Sequence, residues 1–417
     1  MFRIFGPRAM IDANPIAPSS VWGRGDGSEA RPGIGPSGRG CNPEPPSTRG
    51  TLALQGWEEV GEVVTGVASS APRRGTLVIM GGRTPEEGLW EVLRATGRGR
   101  PRVGVIPTAS SDPIAAGMEY VKLLRDMGAE AVLVEITEAN CGSSANDPVM
   151  AELVRSLDAV FFVGGDQNRV TRCLLPDGRP TQVLKALWDL YVGGGVISGN
   201  SAGAAIMSDP MIGGGMDERV EITQGLGFLL HGRVIVDQHF LARGRFIRLL
   251  EAMLRTGVSL GLGIDEDTAV VCSDGVCRVV GRSAAVLLRY VEAVGGTYRF
   301  WVDYLTAGDI SNLSTGEVVV ASGKRLEASG PLASSPAVAE DVDIKSRDGV
   351  VRALDALLRY SPVTLKTVTS ESGRVTYAIT LTREGGTAIY RNESGAIDPA
   401  RYTATGIVLH LTRNELA

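Results

Sequence analysis

Residues 195–204 read GVISGNSAGA. An apolar run ends in a glycine-flanked serine and passes into the Ala-rich AGAAIM. Such a run, bounded by glycines, is a buried strand, and small residues at its end let the chain reverse sharply into a helix. A strand that is apolar throughout has both faces covered, which places it in a parallel sheet flanked by helices.

The same unit recurs upstream. GTLVIMGG (75–82), RVGVIPTAS (102–110), AVLVEI (131–136) and AVFFVGGDQ (159–167) read as strands running into turns. Between them PEEGLWEVLRATG, DPIAAGMEYVKLLRDMGAE, DPVMAELVRSLD and TQVLKALWDLYVGGG read as helices with Pro, Asp or Thr starts and Gly stops. Strands alternating with helices predict an α/β fold, a flavodoxin-like doubly wound and mostly parallel sheet with helices on both faces. Sites in such sheets lie at the carboxyl ends of the strands. The candidate loops are therefore GGR, PTAS, GGDQ and GNSAG.

Downstream, RVIVDQHF (233–240) reads as a strand and turn, and LGLGIDEDTAVVCSDGVCRVVG (260–281) as a strand, loop and hairpin. Residues 331–346 read as a linker. Residues 346–417 give one helix and alternating strands, a small C-terminal α+β domain. Residues 1–50 are rich in Gly, Pro, Ser and Arg and predict a disordered N-terminal extension. The catalytic domain is then 75–330.

The chain has 417 residues, 21% charged, with a net charge of −5. No basic field draws it to nucleic acid or anionic lipid. It has no apolar run of about 20 residues and no secretory leader pattern, so a cytoplasmic protein without membrane contact is expected. The five cysteines, an odd number, fit a reducing compartment. Cys272 and Cys277 flank the turn Ser273-Asp274-Gly275 and read as small core residues, not as a disulfide. With three histidines in all, no zinc-like cluster arises, and neither metal nor cofactor is expected.

Residues 199–203 fit G-x-S-x-G at a strand-to-helix turn, the setting of a nucleophile elbow. The phosphate-loop alternative lacks GxxxxGK[ST]. A nucleophilic serine needs a base. His231 falls in a turn and His410 in a C-terminal strand, whereas His239 follows the strand VIVDQ. The orienting acid is one of Asp265, Glu266 and Asp267, and spacing does not choose among them. Backbone N–H groups of Ala202 and Gly165 would form the oxyanion hole. Arg243, Arg245 and Arg248 follow His239. Arg245 and Arg248 would share a helix face, suited to gripping carboxylates.

Taken in order, GGDQ, GNSAGA, DQHFLARGRFIRLL and GIDEDTA resemble the cyanophycinases, peptidase E-like serine hydrolases with a fold similar to class I glutamine amidotransferases. The resemblance covers roughly residues 75–325. It implies a Ser-His-Glu triad at Ser201, His239 and Glu266. It implies substrate binding by Gln167, Asp237, Gln238, Arg243, Arg245 and Arg248. It also implies exopeptidase action on cyanophycin, an arginine-decorated poly-aspartate, releasing β-aspartyl-arginine dipeptides, by a homodimer. The alternatives are a peptidase E-like aspartyl dipeptidase and a non-catalytic binding module of the same fold. Two departures stand out. Asn200 precedes the serine where the family more often has Thr, and GGRTPEEG lacks the usual acidic residue soon after GG.

Overall fold

A computed structural model describes residues 75–332, 335–392 and 399–416. The expected disordered segment 1–50 lies outside these residues. The described chain is mixed α/β. Its first five strands are β1 (Thr76–Met80), β2 (Arg102–Ile106), β3 (Glu130–Leu133), β4 (Ala159–Phe162) and β5 (Val196–Asn200). They pair in parallel in the order β1-β5-β4-β2-β3.

Helices α1 (Glu86–Ala95), α2 (Pro113–Asp126), α3 (Cys141–Ser144), α4 (Pro148–Arg155), α5 (Gln167–Leu174), α6 (Gln182–Val192) and α7 (Ala202–Ala205) connect and cover them. Their starts follow the sequence signals. Asp112 accepts from Ala115 N–H and Asp147 from Val149 N–H, each ahead of a proline, and Thr181 accepts from Leu184 N–H. Neighbouring phenylalanines show why β4 is apolar throughout. Phe161 packs in the cluster with Leu89, Val92 and Val121, Phe162 in the opposite one with Val154, Val183 and Leu187. Each buried ring contributes about 1.5–3 kcal/mol.

The next strands are β6 (Met211–Gly214), β7 (Glu221–Thr223), β8 (Val234–Gln238), β9 (Leu260–Ile264), β10 (Thr268–Ser273), β11 (Val276–Gly281), β12 (Ala284–Val294) and β13 (Thr297–Thr306). Strand β10 returns to the first sheet, antiparallel to β1, and carries β11 at its side. Strands β8 and β9 do not join that sheet. They pair in parallel with each other, with Gln238 opposite Ile264, and form the end of a second sheet through β12 and β13. The period-2 pattern of the C-terminal region extends this second sheet. Tyr402–Glu415 pairs with β13, and Val375–Thr382 pairs with Tyr402–Glu415. Helices α8 (Phe246–Thr256) and α9 (Gly349–Leu357) share one apolar cluster on its far face. Its near face, through Val234, Val236, Leu262 and Ile264, packs into the cluster that also holds Phe162.

The cysteine expectation is corrected. Cys272 and Cys277 are direct partners across the β10–β11 hairpin, with Cα atoms 4.1 Å apart, and form a disulfide. A second disulfide joins Cys141 to Cys173, tying α3 to α5. Facing positions in a tight hairpin bring side chains together whatever their polarity. The cysteine count therefore no longer supports a reducing compartment. Among the described residues, no helix is long and apolar enough to cross a membrane.

Candidate active site

The serine turn is built by close packing. A Cβ on Gly199 would lie 2.4 Å from the Gly203 carbonyl oxygen, and one on Gly203 2.6 Å from that of Phe162. Both glycines are therefore needed for α7 to fold back over β4 and β5. Between them Ser201 is held at φ 55, ψ −108, its N–H donating to Met80 O at 2.9 Å. That conformation costs about 1–3 kcal/mol in a non-glycine residue. It turns the hydroxyl out of the sheet, at the start of α7.

His239 comes from the second sheet. It follows β8 at φ 48, with its N–H donating to Gly81 O at 2.6 Å. Strand β9 ends beside it and delivers Asp265, Glu266 and Asp267. The end of β1 joins the two sheets here: Met80 O receives Ser201, Gly81 O receives His239, and Gly82 O receives Asp267. Five non-glycine residues of positive φ gather at this junction: Arg83, Thr84, Ser201, His239 and Asp267. Strain of this kind persists where surrounding structure over-determines the backbone, commonly at functional sites.

Ser201 Oγ lies 2.8 Å from His239 Nε2, and His239 Nδ1 lies 2.7 Å from Glu266 Oε1. With Nδ1 facing a carboxylate, the neutral ring donates from Nδ1, leaving Nε2 to accept from the serine. The three acids separate clearly. Asp265 is fully buried and accepts from Leu241 N–H, Ala242 N–H and the Ser283 hydroxyl, so it builds the turn that carries His239. Glu266 alone of the three meets the imidazole. Burial holds His239 below its ordinary pKa, with Arg243 and Arg245 acting the same way against the opposing pull of Glu266. Burial pushes the Glu266 carboxyl up. The hydrogen bond and charge of His239, then Arg83 and Arg243, outweigh it and leave the group below the usual range. The relay is thus poised as neutral imidazole and carboxylate.

Ala202 opens α7, so its N–H has no acceptor within the helix. Gly165, at φ 148, packs on the Ala109 carbonyl, while Gly164 lies against Ser201. The other sequence candidates crowd around the same corner, largely engaged with the protein itself. Gln167 donates to Ile212 O and Gly213 O on β6. Arg248 binds both oxygens of Asp237, and both side chains are buried. Arg245 donates to the backbone and side-chain oxygens of Gln238, whose Oε1 is 3.5 Å from Ser201 Oγ. Burial pushes the pKa of Arg245 down to about 10. The helix begins at Phe246, so Arg245 stands at its N-cap position, and its guanidinium lies 3.7 Å from Asp237, on the same side as Arg248. Arg243 is exposed in the preceding turn.

Three neighbours were not singled out in the sequence. A Cβ on Gly82 would fall 2.3 Å from His239 Cε1, so only glycine leaves room for the ring. Arg83 Nε lies 2.8 Å from Glu266 Oε2. Tyr120 bonds the Thr84 hydroxyl at 2.6 Å and also meets Asn200, whose Oδ1 is buried without a partner among the described residues. The GGR turn was legible as a strand end, but what its residues touch depends on the second sheet.

Comparison with known proteins finds relatives of this chain. The sequence model of peptidase family S51 matches residues 77–280. A cyanophycinase of Trichormus variabilis is 36% identical over 236 residues, 53% of this chain and 76% of that protein. One of Synechococcus elongatus is 34% identical over 235 residues, 52% of this chain and 71% of that protein. A crystal structure of a peptidase from an acI-B1 Actinobacterium aligns with a TM-score of 0.46 at 22% identity, over 58% of this chain and 98% of its own.

Proposed function

This chain belongs to peptidase family S51, and from that premise we propose that it is a serine-type exopeptidase degrading cyanophycin to β-aspartyl-arginine dipeptides. The observation that carries the reading is the hydrogen-bonded chain from Ser201 through His239 to Glu266, at 2.8 and 2.7 Å. The cyanophycinases among its relatives support the substrate class.

In this reading His239 Nε2 takes the Ser201 proton as Oγ bonds to the scissile carbonyl carbon. The carbonyl electron pair moves onto oxygen, where the N–H groups of Ala202 and Gly165 receive it. Collapse breaks the C–N bond, and imidazolium Nε2–H protonates the leaving amine. Water then attacks the acyl-serine and passes a proton to His239, which returns it to Oγ. Glu266 fixes the tautomer and balances the imidazolium charge. Residues within 75–330 carry this chemistry, the strands of 346–417 extend the second sheet that holds β8 and β9, and the enzyme acts as a homodimer.

Among the proposed substrate residues the arginines divide by availability. Arg248 is committed to Asp237, and Arg245 to Gln238 and Asp237. Arg243 is the exposed member of the trio and meets a free carboxylate of the polymer, that of an attached arginine or of the chain end. The test is incubation with purified cyanophycin followed by mass analysis, beside Asp-X dipeptides. Release of β-aspartyl-arginine, absent with Ser201→Ala, is expected. Cleavage of the dipeptides alone would replace the polymer by short aspartyl peptides, and no hydrolysis of either would remove the peptidase reading.

A further inference from the structure

Glu266 has two carboxylate oxygens, and the proposed relay uses one. Oε1 faces His239 at 2.7 Å, and Oε2 faces Arg83 Nε at 2.8 Å. The relay itself is closed off, with side-chain exposures of 9% for His239 and 12% for Glu266, whereas Arg83 is 65% exposed. Arg83 therefore stands between the carboxylate and solvent.

A stabilising role does not account for this arrangement. An ion pair with so exposed an arginine contributes little to folding. Its backbone is meanwhile costly: Gly82, Arg83 and Thr84 run consecutively at φ 137, 52 and 24, and the last two are residues that avoid this region. Each of the three touches the site. Gly82 leaves room for the imidazole, Arg83 holds Glu266, and the Thr84 hydroxyl is tied to Tyr120 at 2.6 Å. A carboxylate anchored through one oxygen still rotates about its last torsion, which is broad. A second anchor on the other oxygen removes that freedom.

We propose that Arg83 is a positioning residue: it fixes the carboxylate plane of Glu266 for His239, and its charge, acting through Glu266, adjusts the pH range in which His239 is a base. The inference rests on the hydrolase reading above for its kinetic consequences, but not for its electrostatic ones. The charges that act on His239 are Glu266 on one side and Arg243 and Arg245 from its own turn on the other; Asp265 lies in the β9–β10 loop, Asp237 is paired with Arg248 behind it, and Arg83 reaches the ring through Glu266. Arg243 and Arg245 remain in every variant below, so the shift reports Arg83 and the Glu266 carboxylate it holds.

Removing a positive charge makes the imidazolium less unfavourable, so the His239 pKa rises. For a charge one carboxylate away and screened by water, the rise is about half a pH unit. It shrinks as salt is raised.

The test uses the full chain with labelled histidines and follows the His239 ring by NMR titration. Arg83→Gln should raise its pKa by about half a unit, and Arg83→Lys should restore most of the difference. On cyanophycin the acid limb of kcat/KM should move up equally, with kcat roughly tenfold lower and KM little changed. Arg83→Gly should show the same shift while melting no lower than wild type, because glycine accepts the φ of 52. A His239 titration unmoved in both Arg83→Gln and Arg83→Gly would overturn the proposal, as would a drop in melting temperature with an unmoved pH profile. If no variant, wild type included, hydrolyses the polymer, the hydrolase reading fails and the ring titration still decides the role of Arg83.

Discussion

Gly82→Ala is the substitution whose outcome is most tightly dictated by the geometry. A Cβ there would lie 2.3 Å from Cε1, 2.5 Å from Nδ1 and 2.8 Å from Nε2 of His239, where ordinary contact begins near 3.4 Å. The ring must retreat by about 1 Å, the difference between those distances. Retreat lengthens the 2.8 Å contact with Ser201, the 2.7 Å contact with Glu266, or both. A misplacement of about 1 Å costs on the order of 10²-fold in rate, about 2.7 kcal/mol of barrier. A φ of +137 adds backbone strain to any side chain at this site. Gly128→Ala separates the two effects, since Gly128 has φ +99 with nothing within 4 Å of its Cβ. Both variants should lose about 1–3 kcal/mol of stability by urea unfolding, and Gly82→Ala alone should lose the hundredfold in kcat/KM for dipeptide release. If Gly82→Ala retains activity within a few-fold of Gly128→Ala, the imidazole is not confined as described.

Ser201→Gly should abolish hydrolysis, by about 10³-fold or more, yet melt no lower than wild type, because glycine relieves the φ of 55; a clear loss of stability would mean the elbow is not strained. Glu266→Gln should fold normally and lose about 10²-fold or more in kcat/KM, with the His239 pKa falling further because the Glu266 bond and charge raise it. In the wild type the acid limb of the rate profile should lie below the ordinary imidazole value of about 6.5, since burial holds His239 down; a limb above neutrality would contradict the site as described. Asp237→Ala strands a buried guanidinium on Arg248 and should cost about 3–5 kcal/mol by urea unfolding; a variant of normal stability with only a raised KM would make Asp237 a substrate contact instead.

Much of the site was legible because its local signals are strong. Ser201 stands in a glycine-framed turn after an apolar strand, and three histidines leave little choice of base. The helix starts were likewise written in Asp112-Pro113, Asp147-Pro148 and Thr181. What spacing could not do was choose among Asp265, Glu266 and Asp267. Adjacent loop residues point in different directions, and only the packing of Leu241, Ala242 and Ser283 claims Asp265. Nor could local pattern show that β8 and β9 leave the first sheet, because a buried strand reads alike in either. GGR was legible as a site loop, but the contacts of Gly82 and Arg83 were hidden for that reason: they lie far along the chain from the residues they touch.

The division of the relay between two sheets explains why the junction is strained and why its buried charges are held by hydrogen bonds and ion pairs. Ser201 belongs to one sheet, and His239 and Glu266 to the other. The contact between them is carried by the carbonyls of Met80, Gly81 and Gly82. A rigid pair of sheets can hold two hydrogen bonds at 2.8 and 2.7 Å only if the turns leaving them are forced into register, which is where the positive φ values collect. Burying charge at that seam is tolerated only when it is matched. Asp237 takes Arg248 and lies 3.7 Å from Arg245, whose Nη1 also donates to Gln238, and Asp265 takes two N–H groups and a hydroxyl. Little charge is then left to meet a ligand. Arg243 is exposed at the rim, and the outer face of Arg83 is open to solvent. An anionic substrate approaching Ser201 therefore meets positive charge from both sheets, while the two arginines deeper in the seam hold the protein together.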